Sequence, residues 1–214
     1  MPRLREVPRD ELEDDYLKHL YKTLFGERDP VAEPGTATGT PGNWWTVFAQ
    51  VPDAFKHTTE GFGFYRSPKR VLDDTLRELG QTRAGYLVGS QFVYSQHMKA
   101  ARFSGLTEEQ VQAISHWSVA DCFDHKQRAV LAYTDALVLQ YGRVPDAVFE
   151  AMKEHLTEVE IIELTYITCT YMMHGVMSRA LRLEYDDVDE RVVEVPAPEG
   201  TSADVMGMVD KRKG

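Results

Sequence analysis

The chain has 214 residues, 43% hydrophobic and 27% charged, which suits one globular domain with extensions and a core that needs no covalent staples. Its 34 acidic and 24 basic residues give a formal net charge of −10, spread along the chain, which argues against nucleic acid or an anionic membrane as the main partner. The two cysteines, Cys122 and Cys169, form neither a CxxC pair nor a metal-ligand spacing; with no signal-type N-terminus and no run near the ~18 apolar residues of a membrane span, a cytoplasmic location is expected.

No strand-like alternation of any length occurs, whereas helical periodicity recurs throughout, so the expected class is all-α. Asp10 is the expected cap of a first helix running to about Phe25, with Leu12, Tyr16, Leu20 and Leu24 at four-residue steps. The Gly/Pro/Thr stretch that follows, residues 28–43, reads as a loop. Trp44, Trp45, Phe48 and Val51 restart an apolar pattern, and Pro52 suits the first turn of the next short helix. Ser67-Pro68, a cap followed by proline, predicts the start of a long helix that carries Leu72, Leu76 and Leu79 and stops at Gly89-Ser90. The next helix ends at Gly105, and Thr107 with Gln110 forms a capping box for the one after it. Asp124 caps a helix closed by Gly142, and Val144-Pro145-Asp146 opens a short one to about His155. Thr157 with Glu160 is a second capping box, placed ahead of a long helix that is apolar nearly all round from Ile161 to Met177 and is expected to be central and buried. The organisation is therefore an N-terminal helix and Gly/Pro loop over 1–43, a helical domain over 44–185, and an extended tail over 186–214.

The chemistry concentrates between Glu78 and Gly105. Ser90, Val93 and His97 stand at i, i+3 and i+7 and so share one helix face. A helix pair joined at Gly89 can fold back and bring Glu78 towards His97. A carboxylate beside an imidazole fixes its tautomer and raises its basicity, which makes an acid/base unit.

A Glu, then a two-residue-spaced pair, then His, then a run of small residues to Gly105-Leu106-Thr107-Glu108-Glu109 resembles the carboxymuconolactone decarboxylase and alkyl-hydroperoxidase-D superfamily. The resemblance covers roughly residues 45–184, including HKQRAVLAYTDALV and LTEVEIIELTYITCTYMMHGVMSRALRL. It implies an orthogonal helical bundle of about eight helices assembling as a homotrimer or homohexamer. In the peroxidase branch the motif is Glu followed by CxxCxxxH. Glu78 and His97 match its proton-relay residues, while Ser90 and Val93 occupy the two cysteine positions. Thiol peroxidation needs an attacking thiolate and a resolving thiol, and neither residue supplies one.

What remains resembles the decarboxylase branch, which works without metal or organic cofactor on a small acidic lactone. On that reading His97 is general acid/base and Glu78 its orienting partner. Arg83 and Tyr94 contact substrate, Ser90 adds a hydrogen bond, and His174 is a further pocket candidate. Each residue also has a structural reading. Glu78 and His97 can be a satisfied buried pair, Arg83 a surface or intersubunit salt bridge, Ser90 a helix cap, and His174 a core residue bonded within its helix. The cluster Met172, Met173 and Met177 reads as core filling. A metal site from Glu78, His97 and His174 lacks HxxxH-type spacing, so no metal and no cofactor are expected. The second functional hypothesis is a non-catalytic member that keeps the scaffold to bind a ligand or partner protein.

Overall fold

Helices begin where a side-chain oxygen can accept the orphan amides of a first turn. In the computed structural model, which describes residues 1–186, those oxygens set most of the boundaries. After a 3-10 turn at Arg9–Glu11 come α1 (Asp15–Phe25), α2 (Asn43–Phe48), α3 (Pro52–Tyr65), α4 (Asp74–Leu87), α5 (Gln91–Ser104) and α6 (Glu108–Ala113). A second 3-10 segment, Ile114–Val119, leads to α7 (His125–Leu139), α8 (Asp146–Lys153) and α9 (Glu158–Leu181). The described residues contain no strand, as the periodicity predicts. No helix among them is long and apolar enough to cross a membrane. The expected tail, 186–214, lies beyond the described residues apart from Asp186.

Both capping boxes form, at Thr107/Gln110 and at Thr157/Glu160, and so does the Asp124 cap. Two expected starts move. Asp14, not Asp10, caps α1, its carboxylate accepting from the amides of Tyr16 and Leu17, because Asp10 is taken up in the preceding 3-10 turn. Ser67 does not open α4; its hydroxyl closes a local turn by accepting from the Lys69 amide. The amides of Val71 and Leu72 go instead to the Glu163 carboxylate, at 3.0 and 2.8 Å, which holds that segment extended until Asp73 caps α4 through Thr75 and Leu76. A carboxylate 91 residues on from Leu72 thus outcompetes the helix the local pattern favours.

The described chain divides into two units, one of residues 1–70 with the chain from Ala180 on, the other of Val71–Arg179. In the first unit, α1 buries Leu17, Leu20, Tyr21, Leu24 and Phe25. Trp44 stacks on Phe48 with centroids 4.4 Å apart and tilts against Phe55 at 5.9 Å, so the paired tryptophans build a core rather than an open surface. Glu184 locks this unit from its far end. Its buried carboxylate accepts from the amides of Gly42 and Trp44, both at 2.9 Å, at the start of α2, while the Asn43 side-chain oxygen accepts from the Glu184 amide. Burial raises the Glu184 carboxyl to about 7, against the hydrogen bonds that favour its anion.

In the second unit, α4 and α5 form a hairpin closed by Gly89 at φ 71°, and α7 and α9 pack on α4 around Leu72, Leu76, Leu79, Val130, Leu131 and Leu164. A Cβ on Gly80 would stand 2.7 Å from the Thr168 hydroxyl oxygen and 3.0 Å from Leu164, so glycine sets how closely α4 and α9 approach. The long helix α9 is not buried all round, as its composition suggests. Ile161, Leu164, Ile167, His174 and Ser178 face inward, but Val159, Ile162, Tyr166, Met173 and Val176 are exposed. Met173 therefore does not fill the core, and apolar composition alone overstates the burial of this helix.

Candidate active site

The α4–α5 hairpin brings Glu78 and His97 together. His97 Nδ1 lies 2.8 Å from Glu78 Oε2, with the carboxylate fully buried and the imidazole 6% exposed. The other carboxylate oxygen, Oε1, accepts two bonds from Arg77, at 3.1 Å from Nε and 2.8 Å from the terminal nitrogen. Burial pushes the Glu78 carboxyl up, but the charge and hydrogen bond of His97, then those of Arg77, outweigh it and hold it below its ordinary 4.5. Glu78 is thus an anion that can only accept, so His97 Nδ1 carries the proton that faces it. Sequence reasoning missed Arg77, because neighbours on a helix point about 100° apart and only a long, bending side chain can turn back onto the adjacent residue.

α9 forms the third wall. Tyr171 meets the His97 ring edge-to-face with centroids 4.3 Å apart, and His174 lies 5.6 Å from Tyr171. Burial, and then the charge of His97, lower the His174 pKa to about 4, so this imidazole is neutral over the physiological range. Tyr171 is the other residue sequence reasoning did not single out; its place one turn before His174 on the same face was the available signal. Ser90 caps α5, its hydroxyl accepting from the Val93 amide at 3.1 Å, and it is almost wholly buried. A Cβ on Gly175 would stand 3.2 Å from Ser90 Cβ, so α9 runs directly past the cap. Ser90 thereby joins the side that holds His174.

Arg83 is placed differently from the expectation. Its guanidinium binds Asp135 through two nitrogens, at 2.6 and 3.0 Å, and another nitrogen donates to the carbonyls of Ile114 and Ser115 at 3.1 and 2.8 Å. Trp117 Nε1 also donates to Asp135 at 3.1 Å. The arginine is therefore a structural tie between α4, α7 and the Ile114–Val119 segment, and its donors are spent where a substrate carboxylate would need them. Tyr94 follows Arg83 rather than His97, with its ring 5.6 Å from that of Tyr86 and its hydroxyl interacting with Ser115.

Val93 is buried against Gly85 and offers no reactive atom. Cys122 and Cys169 are free and partly buried, and both thiols are pushed up, chiefly by desolvation, which makes them poor nucleophiles. Among the described residues no group of three or more His, Cys, Asp or Glu is placed to hold a metal ion. One further residue stands on the same face of α4 as Glu78 and Gly85. Gln81, at i+3 from Glu78, is wholly buried, and neither its amide nitrogen nor its amide oxygen has a hydrogen-bond partner among the described residues.

Comparison with known proteins agrees with this architecture. Residues 52–136 match the model of the carboxymuconolactone decarboxylase family. YdfG of Bacillus subtilis is 28% identical over 97 residues, a match spanning 45% of this chain and 66% of the relative, just under two thirds of its length. Among solved structures, a protein of unknown function from Agrobacterium tumefaciens, a candidate AhpD antioxidant defence protein, superposes at TM-score 0.60 with 24% identity, over 69% of this chain and 96% of its own. The AhpD core of a peroxidase-related protein from Ralstonia eutropha JMP134 reaches 0.64 at 15% identity, covering 86% and 95% of the two chains. The debrominase Bmp8, in complex with 2,3,4-tribromopyrrole, reaches 0.66 at 14% identity, covering 85% and 91%. At these identities the structures establish the shared fold.

Proposed function

We propose that this chain, a member of the carboxymuconolactone decarboxylase/AhpD-like superfamily, is a cofactor-independent acid/base enzyme acting on a small carboxylated or lactone-like metabolite. The observation that carries the reading is the chain Arg77–Glu78–His97. His97 and Arg77 together hold Glu78 as an anion, Glu78 accepts at His97 Nδ1 and fixes the tautomer, and His97 is the acid/base. In a decarboxylation, the bond to the carboxylate carbon breaks, carbon dioxide leaves, and the electron pair stays on the adjacent carbon. His97, protonated at Nε2, then delivers a proton to that carbon, and the Glu78 anion stabilises the imidazolium beforehand. Ser90 and His174 are the polar groups that orient substrate. Arg83 has no part in this. A cytoplasmic location and a homo-oligomer belong to the same proposal.

The direct test supplies purified protein with carboxymuconolactone, for which the family is named, and with a panel of small lactone and keto carboxylic acids, following carbon dioxide release. His97→Gln is expected to lower turnover by about 10²–10⁴ while the protein stays folded. Undiminished turnover in that variant overturns the role.

A second reading, a non-catalytic ligand-binding member, draws on the near-complete burial of His97 and Ser90. It predicts saturable binding of such an acid with no turnover.

A further inference from the structure

Gln81 is wholly buried on α4, and neither polar atom of its amide has a hydrogen-bond partner among the described residues. Its direction follows from its neighbours. Gly80 faces α9, where a Cβ would meet Thr168 and Leu164, and Gly85 faces α5, where a Cβ would meet Val93 and the Tyr94 amide. Residues on a helix step by ~100°, so Gln81 lies ~100° on from Gly80 and ~60° short of Glu78, in the arc between α9 and α5. On that side Tyr171 of α9 meets the His97 ring. A second polar group there is uncharged as well. Thr134, Thr165 and Thr170 each donate to the carbonyl four residues back in their own helix, the usual partner of a helical threonine. Thr168, buried against Gly80, does not, and its hydroxyl also finds no partner among the described residues. The charged groups of the site, Glu78, His97 and Arg77, are by contrast bonded to one another.

We infer that Gln81 is a substrate-recognition residue of the His97 site, and that it takes an uncharged group presenting a donor next to an acceptor. A primary amide offers N–H and C=O side by side. Its complement is a ring lactam, or a ring carbonyl with an adjacent hydroxyl, joined to it by two hydrogen bonds. A lactone carbonyl fills only the donor half. A free carboxylate accepts only; it would leave the Gln81 oxygen unpaired and bring negative charge beside the Glu78 anion. The inference rests on the acid/base reading of His97 and orients the substrate within it, with the carbonyl at Gln81 and the carbon to be protonated at His97. When carbon dioxide leaves a carbon next to that carbonyl, the electron pair it releases moves onto the carbonyl oxygen as an enolate. One Gln81 N–H donates to that oxygen, and the pair returns to carbon when His97 delivers its proton. A buried amide without a protein partner is preorganised for such a charge, whereas one already bonded would first have to be released.

The test is equilibrium binding of three small probes to the full-length protein, followed by titration calorimetry and by the side-chain amide resonances of Gln81. γ-Butyrolactam presents both groups, γ-butyrolactone the acceptor alone, and butyrate a carboxylate. The wild type is expected to bind the lactam with a shift of the Gln81 resonances, the lactone about tenfold more weakly, and butyrate more weakly still. Gln81→Leu and Gln81→Met, each checked for folding by circular dichroism, are expected to bind lactam and lactone alike. The wild-type ranking and the resonance shift decide the matter even where a variant does not fold. Four results overturn the proposal: no lactam binding, no preference over butyrate, binding that leaves the Gln81 resonances in place, or a preference that survives substitution. The first of these, with an ordered water on the amide, would mean that solvent alone satisfies Gln81. None of these measurements involves turnover. A failure here therefore leaves the His97 assignment standing, and turnover undiminished in His97→Gln would strike that assignment without touching the probe ranking.

Discussion

His97 Nδ1 lies 2.8 Å from Glu78 Oε2, on a carboxylate whose other oxygen is held by Arg77. The carboxylate thus has one oxygen for a fixed cation and one for a ring whose protonation it dictates. Glu78→Gln keeps the volume but removes the anion. A glutamine amide can donate to Nδ1 and reverse the tautomer, and Arg77 loses its buried carboxylate partner while keeping Asp74, which accepts from it at 2.6 Å. Turnover should fall by about 10²–10⁴, and stability should fall too, by less than the roughly 3–5 kcal/mol of a buried charge left wholly unpaired, because Asp74 still holds Arg77. Urea unfolding and steady-state kinetics on the same preparation check both. A variant as active and as stable as the wild type would show that Glu78 neither positions the ring nor pairs Arg77.

Arg83 and Asp135 form the strongest competing explanation for a motif arginine, and the two can be separated. Arg83→Met should destabilise the protein by about 3–5 kcal/mol, because Asp135 loses a two-point partner in a largely buried place. KM for an acidic substrate, measured on the folded fraction, should stay within about twofold; the same holds for Asp135→Asn, to which the Trp117 indole can still donate. A KM increase of tenfold or more without loss of stability would return Arg83 to the substrate site.

Two buried groups titrate with opposite effects on stability. His174 has its pKa lowered from 6.5 to about 4, so between those values the unfolded chain binds the extra proton and stability falls as the solution is acidified. Glu184 has its pKa raised from 4.5 to about 7, so between those values the folded chain holds the proton and stability falls as pH rises. The two slopes oppose each other between about 4.5 and 6.5. His174→Gln should remove the acid-side loss, and Glu184→Gln should remove the loss that develops towards pH 7. Unfolding free energies at half-unit steps from pH 4 to 8 reveal each slope by difference. Parallel curves for wild type and variant would exclude the corresponding group as the source.

Gln81 offers a sharper test of whether stability is traded for function in the hairpin. Its buried amide makes no hydrogen bond among the described residues, a cost of about 1–3 kcal/mol for such a group. Gln81→Leu, close in volume, should therefore raise the melting temperature. Coupled to a fall in turnover or ligand affinity, the gain would place the amide in substrate recognition. A lower melting temperature would show that the amide is satisfied in solution, and a stable variant with unaltered binding would limit it to packing.

Much of this was legible along the chain. Helix starts governed by local hydrogen bonds, at Thr107, Asp124 and Thr157, were readable because cap and amide lie within three residues of each other. So was the meeting of Glu78 and His97, since a glycine hinge between two helices leaves few other arrangements. The start of α4 was not readable, because Glu163 holds the amides just before it from 91 residues beyond Leu72. Arg83 was misplaced for the same reason, its partner Asp135 lying 52 residues on.

By itself the sequence determined that the protein is helical and that Glu78 and His97 stand on either side of a glycine hinge, with Ser90 and Val93 but no cysteine between them. These are properties of residue identity and short spacing. Only the tertiary structure decided how the charges pair: Arg77 on Glu78, Arg83 on Asp135, and His174 desolvated beside His97. It also decided which face of α9 turns outward. Pairing and burial depend on which distant elements come into contact, and the strength of a charge interaction is set by the desolvation that contact imposes.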